Sequence, residues 1–245
     1  MIEFRGVRIL LDIEGTTSDI AFVRDVLFPY ARREVAPFLE RHSHQTTVQS
    51  ALNQMAIDAG AADLAHWCPH PFPSPEAQTW IGAEVGRWMD VDSKKTGLKA
   101  LQGLIWESGY RDGSLRAHVY PEVPAAFQRW TDAGLSLAIY SSGSIPAQKL
   151  LFTHTVAGDL TPFLSAYFDT TSGPKRAVAS YHTIVAASGL APAEMLFLSD
   201  IPEELDAARE AGLGTGHVVR RGTVVAGTAI HPVVSSFDEI SAVRA

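Results

Sequence analysis

The chain has 245 residues, of which 46% are hydrophobic and 19% are charged, and these values exclude an intrinsically disordered protein. Its net charge of −7 argues against binding to a phosphate backbone, so we expect no nucleic-acid partner. Because no stretch of about 18 apolar residues occurs, we predict no membrane partner and a cytoplasmic location. Cys68 stands alone, which excludes an intrachain disulfide. We also expect a monomer.

The first predicted element is a short buried strand from Val7 to Leu11, which ends in two acidic residues, Asp12 and Glu14. Open α/β sheets bind their ligands at the carboxyl ends of the strands. Alternate residues of an extended chain point the same way, so both carboxylates can face one site. An ordinary acidic turn is the competing interpretation of this short pattern.

Only helices are predicted between residues 18 and 116, from the spacing of apolar residues and from helix-ending signals. In chain order these are a helical stretch over 24–41, helices over 46–59 and 75–89, and a helix that starts after Ser93 and ends before Gly109. We expect Pro29 and Pro37 to break the first stretch, because each removes a backbone donor.

After residue 117, short apolar runs alternate with helical patterns. The predicted strands cover 135–140, 167–168, 195–198 and 216–219, and the predicted helices cover 121–133, 146–152, 176–187 and 202–211. This alternation predicts a parallel sheet with right-handed crossovers. We therefore predict an α/β fold: a Rossmann-like parallel-sheet core of residues 1–17 and 117–245, interrupted by an all-helical domain of residues 18–116.

Polar side chains follow two further predicted strands, and a lysine precedes a helix. Ser141 and Ser142 come directly after one strand, Asp200 ends another, and Lys175 begins the helix between them. Because parallel strands align their carboxyl ends, these groups should meet Asp12 at one edge of the sheet. Each feature alone is common in turns, but together and in this order they indicate a site.

These motifs resemble those of the haloacid dehalogenase-like (HAD) superfamily of hydrolases, including its inserted helical cap. Within it, the chain resembles the enolase-phosphatase E1 family, over nearly its whole length. The resemblance rests on Asp12 to Thr17, Val26 to Tyr30, Leu98 to Trp106, Tyr140 to Ser144, Ala147 to Phe152 and Leu198 to Asp200. Its most specific residue is Glu14, where most HAD phosphatases have aspartate.

The chemistry of phosphoryl transfer suits these residue types. It needs a nucleophile, positive charge around the phosphate oxygens and a proton for the leaving group. Asp12 is the candidate nucleophile, through an aspartyl-phosphate, and Glu14 is the candidate general acid and base. Ser141 and Ser142 offer donors to phosphate, and Lys175 adds a positive charge that also keeps the aspartate ionised.

A divalent metal site is also predicted at this edge. Mg²⁺ prefers carboxylates together with phosphate and water oxygens. Asp12 and Asp200 supply carboxylates, and Glu14 supplies a further contact, which in HAD enzymes generally comes from a backbone carbonyl.

The resemblance implies two reactions on a small phosphorylated substrate, 2,3-diketo-5-methylthiopentyl-1-phosphate. Enolisation would be followed by hydrolysis to acireductone (1,2-dihydroxy-5-methylthiopentene-3-one), a step of methionine salvage. The base for enolisation stays open between Glu14 and a lysine of the helical domain, such as Lys95 or Lys99. We interpret three scattered histidines as structural: His118, His154 and His182.

Other functions are compatible with the same motifs. The first is a HAD phosphatase of another small-molecule specificity, for a sugar phosphate or phosphoglycolate. The second is a phosphomutase or a dehalogenase on the same fold. The third is a non-catalytic binding module, against which the presence of Asp12, Lys175 and Asp200 argues.

Overall fold

The computed structural model describes residues 1–220 and 230–245. The chain divides into two compact units. One contains Met1–Phe22 and Arg116–Ala245, and the other contains Val23–Leu115. The core segment predicted at 117–245 includes residues 221–229, which lie outside the described residues.

Among the described residues, the strands form two parallel sheets, both within the first unit. In chain order they are β1 Ile2–Gly6, β2 Arg8–Leu11, β3 Ser136–Tyr140, β4 Leu164–Phe168, β5 Met195–Ser199, β6 Gly214–Val218, β7 Val233–Val234 and β8 Ile240–Arg244. The larger sheet has the order β4-β3-β2-β5-β6-β7, and every neighbouring pair is parallel. The α/β parallel-sheet prediction is confirmed.

The α-helices include every long helix predicted from the sequence. In chain order they are α1 Ile20–Phe22, α2 Phe28–His42, α3 Thr46–Asp58, α4 Leu64–Trp67, α5 Pro75–Asp90, α6 Thr96–Asp112, α7 Val123–Asp132, α8 Ile145–Thr153, α9 Val178–Ser188 and α10 Pro202–Glu210. A π-helical turn over Val23–Leu27 precedes α2. Within the described part of the chain, no helix is both long enough and apolar enough to cross a membrane.

The central strands of the larger sheet are buried along almost their whole length. Ile9, Leu10 and Leu11 of β2 are fully buried, and every residue of β5 is buried as well. A continuous apolar run is typical of a parallel strand covered on both faces, which is why sequence patterning located these strands. The packed central strands therefore fix the position of the residues that follow them at the carboxyl edge of the sheet.

The smaller sheet is a finding that the sequence pattern did not predict. β1 pairs in parallel with β8, with Ile2 opposite Ile240 and Phe4 opposite Ala242. Exposed and covered residues alternate in β1, so its apolar run is too short and too interrupted to stand out. The strand predicted to begin at Val7 begins at Arg8, because β1 ends immediately before it.

Some predictions within the helical unit were wrong. Pro37 lies inside α2, where it removes one backbone donor while the buried Val35, Phe38 and Leu39 keep the helix packed. Gly109 does not end α6, which continues to Asp112.

The helix α6 ends where Gly113 adopts a left-handed φ of 81°, as helices commonly do. Gly109 serves packing instead, because a Cβ at that position would collide with the ring of Tyr30. The helix also starts later than predicted, with Lys95 rather than Ser93 as the residue before its first turn.

Candidate active site

A tight turn follows the central strand β2. Backbone pairing continues one residue past the strand, with Asp12 N–H donating to the carbonyl of Leu198 at 3.0 Å. The amides of residues 16–18 then all donate to the carbonyl of Ile13, and Gly15 supplies a φ of 73°. This turn leaves the side chain of Asp12 at the carboxyl edge of the sheet, where the residue is only 2% exposed.

The register of the sheet brings the predicted strand ends together. Leu11 lies opposite Ile139 of β3 on one side and Leu198 of β5 on the other. Asp12 therefore leaves the sheet level with the ends of both neighbours, which carry Ser141 and Asp200. The expected convergence follows from pairing geometry alone.

Lys175 forms a buried charged cluster with the carboxylates of Asp12 and Glu204. Asp12 Oδ1 accepts hydrogen bonds from the Ile13 amide at 2.7 Å and from Lys175 Nζ at 2.6 Å. Lys175 Nζ also contacts Glu204 Oε2 at 2.7 Å, and Ser199 Oγ lies 3.2 Å from Asp12 Oδ2. The nucleophile candidate is thus held on both of its oxygens.

Burial by itself lowers the pKa of Lys175, but the charges of Asp12 and Glu204 outweigh burial, so the pKa lies above its ordinary value. Lys175 is therefore an ammonium at neutral pH. The pKa of Glu204 is raised, first by burial and then by the charge of Asp12. Lys175 neutralises part, but not all, of the negative charge at this edge.

Buried hydroxyl groups hold the backbone around Lys175. The hydroxyls of Tyr140, Ser180 and Tyr181 donate to the successive carbonyls of residues 173–175, at 3.0, 2.7 and 2.7 Å. All these hydroxyl-bearing side chains are buried. Contrary to prediction, Lys175 does not begin a helix, since it lies three residues before α9, and these bonds fix its position instead.

Hydrogen bonds hold the loop between β3 and the start of α8. The amide of Ser141 donates to the carbonyl of Phe168 at 3.2 Å, and its Oγ accepts from the Gly143 amide at 3.2 Å. Gln148 of α8 donates to the carbonyls of Gly143 and Phe168, at 2.7 and 2.9 Å. Ser142 is exposed. These hydrogen bonds hold the loop that leads into the amino end of α8. An anion is favoured there, because helix amino ends attract negative charge.

Asp200 and Glu14 are acids with raised pKa values. Burial, followed by the charge of Asp12, raises the pKa of Asp200 to about 7. The same two causes, in the same order, raise the pKa of Glu14. Asp200 also packs against Gly15, where a Cβ would collide with its carboxylate. The carbonyl of Asp200 accepts a hydrogen bond from His217 Nε2 at 3.1 Å.

These residues fit a divalent cation with oxygen ligands. Asp200 Oδ1 is buried and has no hydrogen-bond partner among the described residues, so it can serve as a ligand. Within residues 1–220 and 230–245, however, no three side chains of His, Cys, Asp or Glu form a metal-binding group.

Sequence reasoning missed two members of the site. Ser199 contacts Asp12 and also lies 3.0 Å from Glu204 Oε2, and neither residue was given a role. Glu204 follows Asp200 by four residues in the chain. Its position in the first turn of α10, on the same side as the strand end, was the available signal.

Other candidate residues are occupied elsewhere. In the helical unit, Lys95 Nζ donates to the carbonyl of Asp58 at 2.8 Å and lies 4.1 Å from the centre of the Trp88 ring. His118 Nδ1 accepts from the Asp19 amide at 3.0 Å. His154 Nδ1 lies 3.0 Å from the carbonyl of Leu150. These contacts agree with a structural role for both histidines.

The fold and the site define a hydrolase of the HAD type. Residues 8–212 match the family model of the haloacid dehalogenase-like hydrolases, and the chain belongs to that family. A divalent metal ion and a small phosphorylated substrate are implied by that membership.

More narrowly, the relatives place the chain in the enolase-phosphatase E1 family. It is 46% identical over 233 residues to enolase-phosphatase E1 of Sorangium cellulosum, covering 95% of this chain and 96% of the relative. It is 49% identical over 232 residues to that of Azotobacter vinelandii, with the same coverage. The crystal structure of the UTR4 protein from Saccharomyces cerevisiae matches with a TM-score of 0.79 and 32% identity, covering 96% of this chain and 100% of that one.

Proposed function

We propose that this chain is an enolase-phosphatase that converts 2,3-diketo-5-methylthiopentyl-1-phosphate to acireductone in methionine salvage. Two reactions would share one site, an enolisation and then a hydrolysis through an aspartyl-phosphate. The observation that carries the proposal is the buried cluster of Asp12, Lys175 and Glu204 at the sheet edge, in a chain 46–49% identical to enolase-phosphatases over almost its full length.

Asp12 is the proposed nucleophile. Its carboxylate oxygen attacks phosphorus while the bond from phosphorus to the enol oxygen breaks. The contacts of Lys175, Ser199 and the Ile13 amide with the carboxylate support this role, because they orient it before substrate arrives. Water then attacks the phosphorus of the aspartyl-phosphate, which releases phosphate and restores Asp12.

Glu14 is the proposed acid and base for these steps. Its raised pKa keeps a proton available for the leaving enol oxygen, and the resulting carboxylate can take a proton from the hydrolytic water. The base for the enolisation stays open, with Glu14 a candidate. Lys95 is a weaker one, because its ammonium is already engaged by Asp58 and Trp88.

Ser141, Ser142 and Lys175 are the proposed phosphate-binding residues. They combine hydroxyl and amide donors with a positive charge. Mg²⁺ is the proposed metal, held by Asp12, Glu14 and Asp200. When bound, it would shield phosphate oxygens and polarise the substrate carbonyl.

We further propose that residues 1–17 and 117–245 form the catalytic core domain and that residues 18–116 form the cap domain. The separate all-helical unit over Val23–Leu115 supports this division. The monomeric state and the cytoplasmic location stay predictions from the sequence. Light scattering coupled to size-exclusion chromatography tests the first of them.

Turnover on a panel of phosphates tests the function. We expect phosphate release from the diketone phosphate, preceded by the ultraviolet absorbance of an enol. Sugar phosphates and phosphoglycolate should be hydrolysed far more slowly. Faster hydrolysis of those compounds would favour a phosphatase of another specificity, and full activity in EDTA would favour a dehalogenase.

A further inference from the structure

A buried arginine far along the chain binds the turn that follows the nucleophile. The side chain of Arg220 is 8% exposed. Its Nε donates to the carbonyl of Thr16 at 3.1 Å, and its Nη2 donates to the same oxygen. Its Nη1 donates to the carboxylate of Glu122 and to the carbonyl of Ser235, the latter at 3.2 Å. Both sides of the guanidinium fork are therefore used.

Aromatic rings fix the plane of this guanidinium. Its Cζ lies 3.9 Å from the centre of the Tyr120 ring and 4.9 Å from the centre of the Phe237 ring. Such contacts favour a planar, weakly hydrated cation over an ammonium. The backbone of Tyr120 also binds the same turn, because its amide donates to the carbonyl of Thr17 at 3.0 Å.

We infer that Arg220 is a positioning residue that sets the distance between the nucleophile and the metal-binding carboxylate. Thr16 follows Gly15, whose backbone packs directly against the carboxylate of Asp200. A shift of the Thr16 carbonyl therefore moves Gly15 relative to Asp200 and changes the geometry between that residue and Asp12. Arg220 has this role only if these aspartates carry the proposed phosphatase reaction.

Arg220→Lys tests the inference, because lysine keeps the charge but cannot reach the carbonyl of Thr16 and the carboxylate of Glu122 with one rigid fork. We expect kcat to fall by about 10²-fold, the size expected for a misplacement of about 1 Å. KM should change by less than about threefold, because the phosphate-binding side chains are not displaced. A kcat within about threefold of the wild-type value would overturn the inference.

Arg129→Lys is the control variant. Arg129 belongs to the same unit, donates to the carbonyl of Phe237 at 2.9 Å and also lies beside an aromatic ring, that of Trp130, at 6.0 Å. Its contacts do not include the turn at Thr16, so kcat should stay at the wild-type value. An equal fall of kcat in both variants would indicate general destabilisation and would also overturn the inference.

Binding of Mg²⁺ alone provides a readout that needs no turnover. Mg²⁺ is added to the metal-free protein, and the thermal shift gives the Mg²⁺ concentration at half-saturation. We expect this concentration to be about tenfold higher in Arg220→Lys than in the wild type, and unchanged in Arg129→Lys. An unchanged half-saturation in Arg220→Lys would contradict the proposed role.

Two further variants keep the test decisive if Arg220→Lys does not fold. Arg220→Gln combined with Glu122→Gln removes both buried charges together, so neither is left unpaired. In Arg220→Ala, free guanidinium should restore kcat at least about tenfold, since the pocket beside Tyr120 and Phe237 suits that ion. Methylammonium should not restore kcat. Equal rescue by both ions would refute the positioning role.

Failure of this inference can be distinguished from failure of the proposed function. The kinetic comparison uses p-nitrophenyl phosphate in addition to the diketone phosphate. A wild-type protein that hydrolyses only p-nitrophenyl phosphate would refute the proposed substrate. The ratio of the kcat values of Arg220→Lys and wild type on that compound would still decide the role of Arg220.

Discussion

Removal of the ammonium of Lys175 should make the stability of the protein depend on pH in a defined direction. Lys175→Met leaves the carboxylates of Asp12 and Glu204 buried, at 3% and 10% exposure, without the cation that lies 2.6 and 2.7 Å from them. Breaking a buried ion pair from one side costs about 3–5 kcal/mol. We expect a loss of this size in the free energy of unfolding at about pH 8.

The loss should shrink on acidification. Burial and the charge of Asp12 already raise the pKa of Glu204, and loss of the Lys175 charge removes the contact that lowers it. The folded variant then binds more protons than the unfolded chain, so its stability rises as pH falls towards the unfolded values, near about 4. In the wild type, Lys175 itself has a raised pKa, so its contribution is complete below 10.5 and disappears only at higher pH.

Urea unfolding of both proteins at about pH 5.5 and about pH 8 measures this effect. The exposed Lys149, replaced by Met, is the control and should change stability by less than about 0.5 kcal/mol. A Lys175→Met variant as stable as wild type, or with an equal deficit at both pH values, would refute the electrostatic reasoning. Phosphate release by the variant should fall by at least about 10²-fold, because a charge facing the transferred group is lost.

Three more outcomes are expected. Asp12→Asn should abolish phosphate release, since an amide is a poor nucleophile, and measurable turnover would rule out the covalent route. Glu14→Asp shortens the side chain by one methylene and should alter the partition between enolisation and hydrolysis. Ultraviolet absorbance follows the first step and phosphate release the second. Unchanged rates of both steps would count against the role of Glu14. Because the metal-free pKa of Asp200 is about 7, protons should compete with Mg²⁺ below that pH, and EDTA should abolish activity. The Mg²⁺ concentration at half-saturation, measured by thermal shift, should therefore rise by up to about tenfold for each pH unit of acidification. A concentration that does not change with pH would contradict the metal assignment.

Much of the sheet and the order of its strand ends could be predicted from the chain. The apolar runs of β2, β3 and β5 stop abruptly at polar residues, and parallel strands align those stops. Asp12, Ser141 and Asp200 could therefore be placed at one edge before any contact was known. Helix ends were less predictable, because Gly109 serves packing against Tyr30 rather than termination, and a local pattern cannot tell these apart.

The contacts that tune the site are set by tertiary structure. Ser199 meets Asp12 across 187 residues of chain, and Arg220 meets Thr16 across 204. Neither pairing leaves a periodic signal, because each depends on how separate elements pack. The raised pKa of Asp200 likewise follows from burial and from the nearness of Asp12, which are properties of the folded arrangement. Sequence by itself thus determined which groups stand at the sheet edge, through local hydrophobic pattern, whereas only the packing of distant segments decided their partners, charges and spacing.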